Sequence, residues 1–479
     1  AVLPVEEDSA PGITAVLPEA GDLRIPDQLI PVTMAGDLTS SSGGSSFFSE
    51  GAIGFGIRNY ILGDISLYKI GSQPRFNLRF LHEQWDGFAD HGAGEGFSLR
   101  EDGITGALTL QKNAFSLTGE GAFEQDSRGL QGQSDLFTEV THSAYRGSAD
   151  MDYAVTDTAS FVGGMSVSSG TLLLSGEEPE GGSELILLPK AGFRFSWPGV
   201  ELSFIGRYRY TGITLRSDTA GNRHFAGFAA DFSAELPAYV DISLSVGVDY
   251  GSATSWRVPF AVSLAGQLAP PMSFSLEGGY REESHSFSEI WDLYPFTDIA
   301  LLDPAYLWYG GVSLSWTPGT GVTLNGSVRF ESSDGALCLS EGGVSESGLL
   351  SLYQSEVMGL VPSVDIRLRP TDTVTVTAGW SSRFLDTESL ERKNVMDFGV
   401  EYESRNGSLG LTTAGEWDLF PSVAIPIIRI EGFYRLTEGV MILLEARDLL
   451  APLVEGGRID WEPYIGQGFE FVIKTQISL

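Results

Sequence analysis

From Ser49 onward, apolar and polar side chains alternate along the chain with a period of two. Ile242, Leu244, Val246, Val248 and Tyr250 fall on one face, and Asp241, Ser243, Ser245 and Asp249 on the other. The pattern returns at Met272, Phe274, Leu276, Gly278 and Tyr280, at Val322, Leu324, Gly326, Val328 and Phe330, and at Val374, Val376, Ala378 and Trp380. A period of two with one apolar face predicts a strand standing between two different media. Each segment runs about ten to thirteen residues, longer than the five or six usual in a soluble sandwich and enough for a tilted strand to cross a bilayer.

Two classes of connection alternate between the segments. One is tight: Gly71-Ser72-Gln73-Pro74, Lys112-Asn113, Thr156-Asp157, Trp197-Pro198-Gly199, Leu236-Pro237-Ala238, Ala269-Pro270-Pro271, Thr317-Pro318-Gly319, Arg369-Pro370-Thr371-Asp372, Arg405-Asn406-Gly407 and Thr437-Glu438-Gly439. Pro fixes φ and Gly or Asn supplies positive φ, which is turn chemistry. The other class is often long, around 86–103, 124–137, 170–183, 213–222, 285–305, 334–357 and 449–466. Short periplasmic turns and long extracellular loops are the pattern of a bacterial outer-membrane barrel. The prediction is an all-β chain whose residues 47–479 form a single large transmembrane antiparallel β-barrel of about 22 strands. Tyr60, Trp197, Tyr239, Trp256, Trp308, Trp316, Trp380 and Trp417 fall near segment ends, where interfacial girdles form.

Residues 1–46 are rich in Pro, Gly, Ser and acids and hold no period for long, which predicts an extended periplasmic arm or a disordered leader. Within it, Leu29, Ile30, Pro31, Val32, Thr33 and Met34 are apolar enough to add as a strand to a partner's sheet edge.

Composition narrows the classes. The 479 residues carry 29 Lys+Arg against 63 Asp+Glu, a net charge of −34, with no basic stripe to neutralise nucleic-acid phosphates. A mean hydropathy of +0.03 suits a barrel, in which lipid-facing and lumen-facing residues average out. No apolar run is long enough for a helical span. Cys338 is the single cysteine, so an internal disulfide and a thiolate metal site are excluded.

Candidate chemistry is sparse. His82, Glu83, Asp86, Asp90 and His91 form one possible metal cluster, weighed against plain loop polarity. His142, His224 and His285 also fall near outer loops. Glu177, Glu178, Glu180, Glu282, Glu283, Glu341, Glu346, Glu388 and Glu391 form acidic loops that divalent cations could bridge, or a solvated surface. Arg207, Arg209, Arg281, Arg367 and Arg369 alternate with apolar residues and so face the lumen, to pair with acids or to line an anion-selective pore. No serine sits in a recognisable nucleophile motif, and neither enzyme activity nor a cofactor is expected.

The chain's end adds a resemblance. Leu444-Glu445-Ala446-Arg447-Asp448-Leu449-Leu450, then Trp461, Tyr464, Gly466 and Gly468-Phe469-Glu470-Phe471, resembles the closing hairpins of TonB-dependent outer-membrane receptors. Asp448 stands where that family favours Asn, and Leu479 where most such barrels end in an aromatic residue. The strand count is similar too, and residues 29–34 resemble the short extended box by which such receptors engage TonB. The resemblance implies a plug domain ahead of the barrel, and residues 1–46 do not read as one. The expectation is therefore a plugless receptor-like barrel, serving as a subunit or anchor of a cell-envelope complex. Its lumen would be filled or capped by the arm, the loops, or a periplasmic or surface protein partner. The rival is a passive or substrate-specific, porin-like channel.

Overall fold

The computed structural model describes residues 46–215, 220–236, 240–252, 256–300, 302–384, 394–419, 424–454 and 457–479. The partner-binding patch at residues 29–34 lies outside them, as do the rest of the arm to residue 45, Tyr239, Glu388 and Glu391.

Twenty-two strands form one antiparallel sheet in which each pairs with its chain neighbour. The first strand, Ser46–Gly56, closes the ring on the last, Glu470–Ser478, in register from Glu50↔Ser478 to Gly56↔Val472. Closure leaves no unpaired edge, the condition for a sheet to cross a bilayer. Among the described residues no helix is long and apolar enough to do so.

The faces separate by parity. On strand Val240–Gly251, Leu244, Val246, Val248 and Tyr250 are 40–49% exposed on the outer surface, whereas Asp249 is 1% exposed within. The outward set is the lipid-facing band, with Trp197 and Trp316 at its turn side and Trp256 and Trp308 at its loop side. Tyr60 does not belong to that girdle. It is 2% exposed, packs on Trp85 inside the wall, and its hydroxyl donates to Glu83 at 2.5 Å. The closing seam is tied by side chains of the C-terminal phrase: Arg447 pairs with Glu445 and lies 3.6 Å from Glu83 and 3.7 Å from Glu470, and Lys474 reaches Glu445 at 2.6 Å.

The tight turns within the described residues fall where the sequence places them, but several strands are longer than the alternation implies. Phe137–Thr156 has 20 residues, Val322–Val344 has 23 and Leu350–Thr371 has 22. Much of 124–137, 170–183 and 334–357, read as loop, is therefore strand. Beyond the hydrocarbon both faces meet water or loop, so the period-two signal fades while the ladder of hydrogen bonds continues.

Candidate functional site

The loops at one end of the barrel fold over its mouth. The connection after strand Met272–Glu283 begins with a helix, Phe287–Leu293. A capping box starts it: the Ser286 hydroxyl accepts from the Glu289 amide at 3.2 Å, and the Ser286 amide donates to the Glu289 carboxylate at 2.7 Å. Phe287, Ile290 and Trp291 then share one helical face at i, i+3 and i+4. That face lies on the lumenal side of strands Phe137–Thr156 and Ala159–Gly176.

Side chains latch the helix there. The Trp291 indole N–H donates to Asp126 at 3.0 Å, Arg146 donates to Asp292 at 2.7 Å, and the Phe287 amide donates to Glu184 at 2.7 Å. Gly170 allows the close approach, since a Cβ there would sit 2.8 Å from the Ser288 hydroxyl. His142 stacks on Trp291 with ring centroids 5.3 Å apart, and its Nε2 lies 3.3 Å from the Ser288 hydroxyl. Ser288 and His142 are residue types of a nucleophile and its base, yet they are 1% and 2% exposed under Phe287 and Trp291. With no room for a substrate beside it, the pair is part of the latch.

Three further loops complete the roof. Residues 284–304 meet 345–349 through a short parallel bridge, Thr297↔Leu350, with the Leu350 amide donating to the Phe296 carbonyl at 2.7 Å. Residues 448–469 join 130–136 where the Gln131 side chain both donates to and accepts from the backbone of Ile465, at 2.9 and 2.8 Å. The Tyr464 hydroxyl donates to the Gly348 carbonyl, and burial pushes its pKa up. Leu130, Phe137, Leu172, Trp291, Phe296 and Leu349 pack into one buried cluster with Tyr464, bridging wall and loops. Asp448 opens the 448–469 loop at φ 42°, a left-handed conformation that Asn and Asp adopt more readily than other non-glycine residues. Arg458 holds its carboxylate with two hydrogen bonds, at 2.7 and 3.0 Å.

Between the 284–304 loop and the wall is a cavity of about 400 Å³. Ile186, Ile213, Phe225 and Phe287 give it an apolar lining, and Arg209 and Arg223 line it as well. Those cations are engaged: Arg209 with Glu282, and Arg223 with Asp303 at 2.8 Å. The size and the mixed lining suit a small amphipathic ligand.

The other sequence candidates disperse. His82 pairs with Asp102 at 2.7 Å and His91 with Glu95 at 2.9 Å, so the structure does not gather the 82–91 residues into one site. Among the described residues no three His, Cys, Asp or Glu are grouped to hold a metal. Glu282, read as part of a solvated acidic loop, is instead bound to Arg209. Arg207 pairs with Asp249 at 3.0 Å, and Arg281 lies 5.2 Å from the Tyr309 ring centroid. Of the roof residues, Asp448 and Tyr464 stand in the C-terminal phrase and His142 among the loop histidines; the helix is a further signal, since Ser286-x-x-Glu289 followed by the apolar spacing is a legible helix start.

No protein-family model and no curated protein sequence matches the chain. Solved structures do. The FrpB iron transporter of Neisseria meningitidis superposes with a TM-score of 0.70 at 9% identity, over 90% of this chain and 81% of that one. A ferric enterobactin receptor, PfeA of Pseudomonas aeruginosa, gives 0.68 at 10% identity over 92% and 81%. The copper transporter OprC gives 0.69 at 10% identity over 92% and 81%. These are TonB-dependent receptors, and what this chain shares with them at such identity is the barrel fold.

Proposed function

We propose that the protein is a non-enzymatic, receptor-type barrel of the bacterial outer membrane, closed at its outer mouth by its own loops, that works as a subunit of a cell-envelope complex. The observation that carries the reading is the roof. Four loops are joined by one backbone bridge, by side-chain hydrogen bonds to backbone and by one buried apolar cluster, so the outer end is built to stay shut. A passive porin keeps an aqueous lumen. A barrel with a latched roof takes up a solute only when something opens it, and a protein partner on the turn side is the agent that fits. The cavity beneath the 284–304 loop is where a ligand arriving from outside would be held. The fold of iron and copper transporters supports transport as the general task.

Conductance in a planar bilayer tests this. The wild-type barrel should be nearly silent, and Trp291→Ala/Phe296→Ala, which removes the latch and its stack, should conduct steadily. A large, steady wild-type current would instead favour the open channel.

A further inference from the structure

Strand Glu180–Trp197 carries Glu184, Ile186 and Leu188 on its lumenal face, and all three line the cavity beneath the 284–304 loop. An acid in such an apolar row is a costly placement unless something meets its charge. Glu184 is 6% exposed, and one of its oxygens accepts from the Phe287 amide at 2.7 Å. The other oxygen faces the cavity and has no hydrogen-bond partner among the described residues, and no Lys or Arg among them pairs with this carboxylate. Its strand neighbours leave that gap: Glu184 stands opposite Gly170 on one side and Ile213 on the other, and neither has a side-chain donor.

The arginines along the lining are all matched. Arg209 pairs with Glu282 and donates to the Ser284 hydroxyl at 2.6 Å, Arg223 pairs with Asp303 at 2.8 Å, and Arg146 with Asp292 at 2.7 Å. Glu283, which also lines the cavity, has only the Ser333 hydroxyl at 3.5 Å and the His285 ring at 3.9 Å. Glu184 and Glu283 are therefore left over, in a space where little water screens them, and the charge still to be met is positive. An anion entering the cavity would find its arginines already taken and two carboxylates opposed to it. The apolar lining, and the lack among the described residues of three metal-ligating side chains in one group, favour an organic cation over a metal ion.

We infer that the cavity takes a small amphipathic amine in its ammonium form, with an N–H donated to the free oxygen of Glu184 and the carbon body against Ile186, Ile213, Phe225 and Phe287. The inference rests on the reading above that the cavity is where a ligand is held, and it gives that ligand its chemical class. A volume of about 400 Å³ suits a free small molecule. The charge-assisted hydrogen bond would fix its orientation, and the apolar side chains would supply most of the contact.

The test is calorimetric titration of the full chain in detergent micelles with three probes of one shape, 2-phenylethylammonium, 2-phenylethanol and phenylacetate. The ammonium should bind, the alcohol about tenfold more weakly, and the carboxylate not at all. Glu184→Gln keeps an acceptor for the Phe287 amide and removes the charge. It should lower the affinity of the ammonium about tenfold and leave that of the alcohol as in wild type, whereas a merely structural loss would weaken both alike. Glu177→Gln, exposed at the same rim, should change neither. Equal binding of ammonium and alcohol, tighter binding of phenylacetate, or no selective effect of Glu184→Gln would overturn the cationic class while leaving the cavity a ligand site. Binding of none of the three would overturn the class and the cavity's role together.

Discussion

Phe296 lies flat on Tyr464, with ring centroids 3.7 Å apart and 4° between the planes, although the two come from loops leaving different parts of the barrel rim. The contact is long-range and buried, and both rings belong to the cluster that joins the wall to the loops. Roof stability therefore concentrates in a few aromatic side chains.

Phe296→Ala should remove the stack and leave a cavity, costing the roof about 3–5 kcal/mol while the barrel ladder is untouched. Tyr464→Phe keeps the stack and loses the hydrogen bond to Gly348, a cost of about 1 kcal/mol. Hydrogen exchange on residues 345–350 and 459–466 should rise strongly in the first variant and slightly in the second. Barrel-strand exchange should stay as in wild type.

Gly170 is the point at which helix and wall meet most closely. Gly170→Val places a branched side chain where the Ser288 hydroxyl already lies 2.8 Å from the site of its Cβ, so the helix must lift away. Trp291 fluorescence should shift to longer wavelength as the indole leaves its 1% exposed position, and proteolysis within 284–304 should speed up. An unshifted Trp291 spectrum would mean that the wall, not the helix, absorbs the strain.

How much of this was legible depends on the medium each residue meets. Ile242 to Tyr250 alternate because one face meets lipid and the other a polar lumen, so both strand and parity could be read directly. Tyr60 was assigned to the girdle because any aromatic near a strand end resembles one. Its parity, shared with Leu62 and Asp64 of strand Ile61–Ile70, already marked it as inward. The roof was hidden for a different reason. Phe296, Leu349 and Tyr464 have no periodic neighbours, and only tertiary contact makes a cluster of them. Asp448 was noticed as a departure from a resembling family's Asn, and its reason, a positive φ, needed the backbone.

That backbone gives a substitution series. Asp448→Asn retains a side chain suited to positive φ but loses the charge facing Arg458, so the loop should lose about 1–2 kcal/mol. Asp448→Val adds a β-branched residue in the left-handed region, and the strain brings a further penalty of about 1–3 kcal/mol. Local exchange protection at 457–466 should rank wild type above Asn above Val. Equal protection in Asn and Val would show that the ion pair alone holds the loop.

The assignment of faces is tested at two adjacent positions. Val246 and Ser245 lie mid-strand with opposite parity: Val246 is 42% exposed on the outer band, and Ser245 donates inward to Asp231. Val246→Arg puts a guanidinium against hydrocarbon and should destabilise the barrel by about 2–4 kcal/mol in lipid vesicles, read from urea-driven unfolding. Ser245→Arg points the same group at the Asp231 carboxylate and should change stability by less than about 1 kcal/mol. Equal destabilisation by the two variants would mean that the strand is not divided between lipid and lumen as its parity indicates.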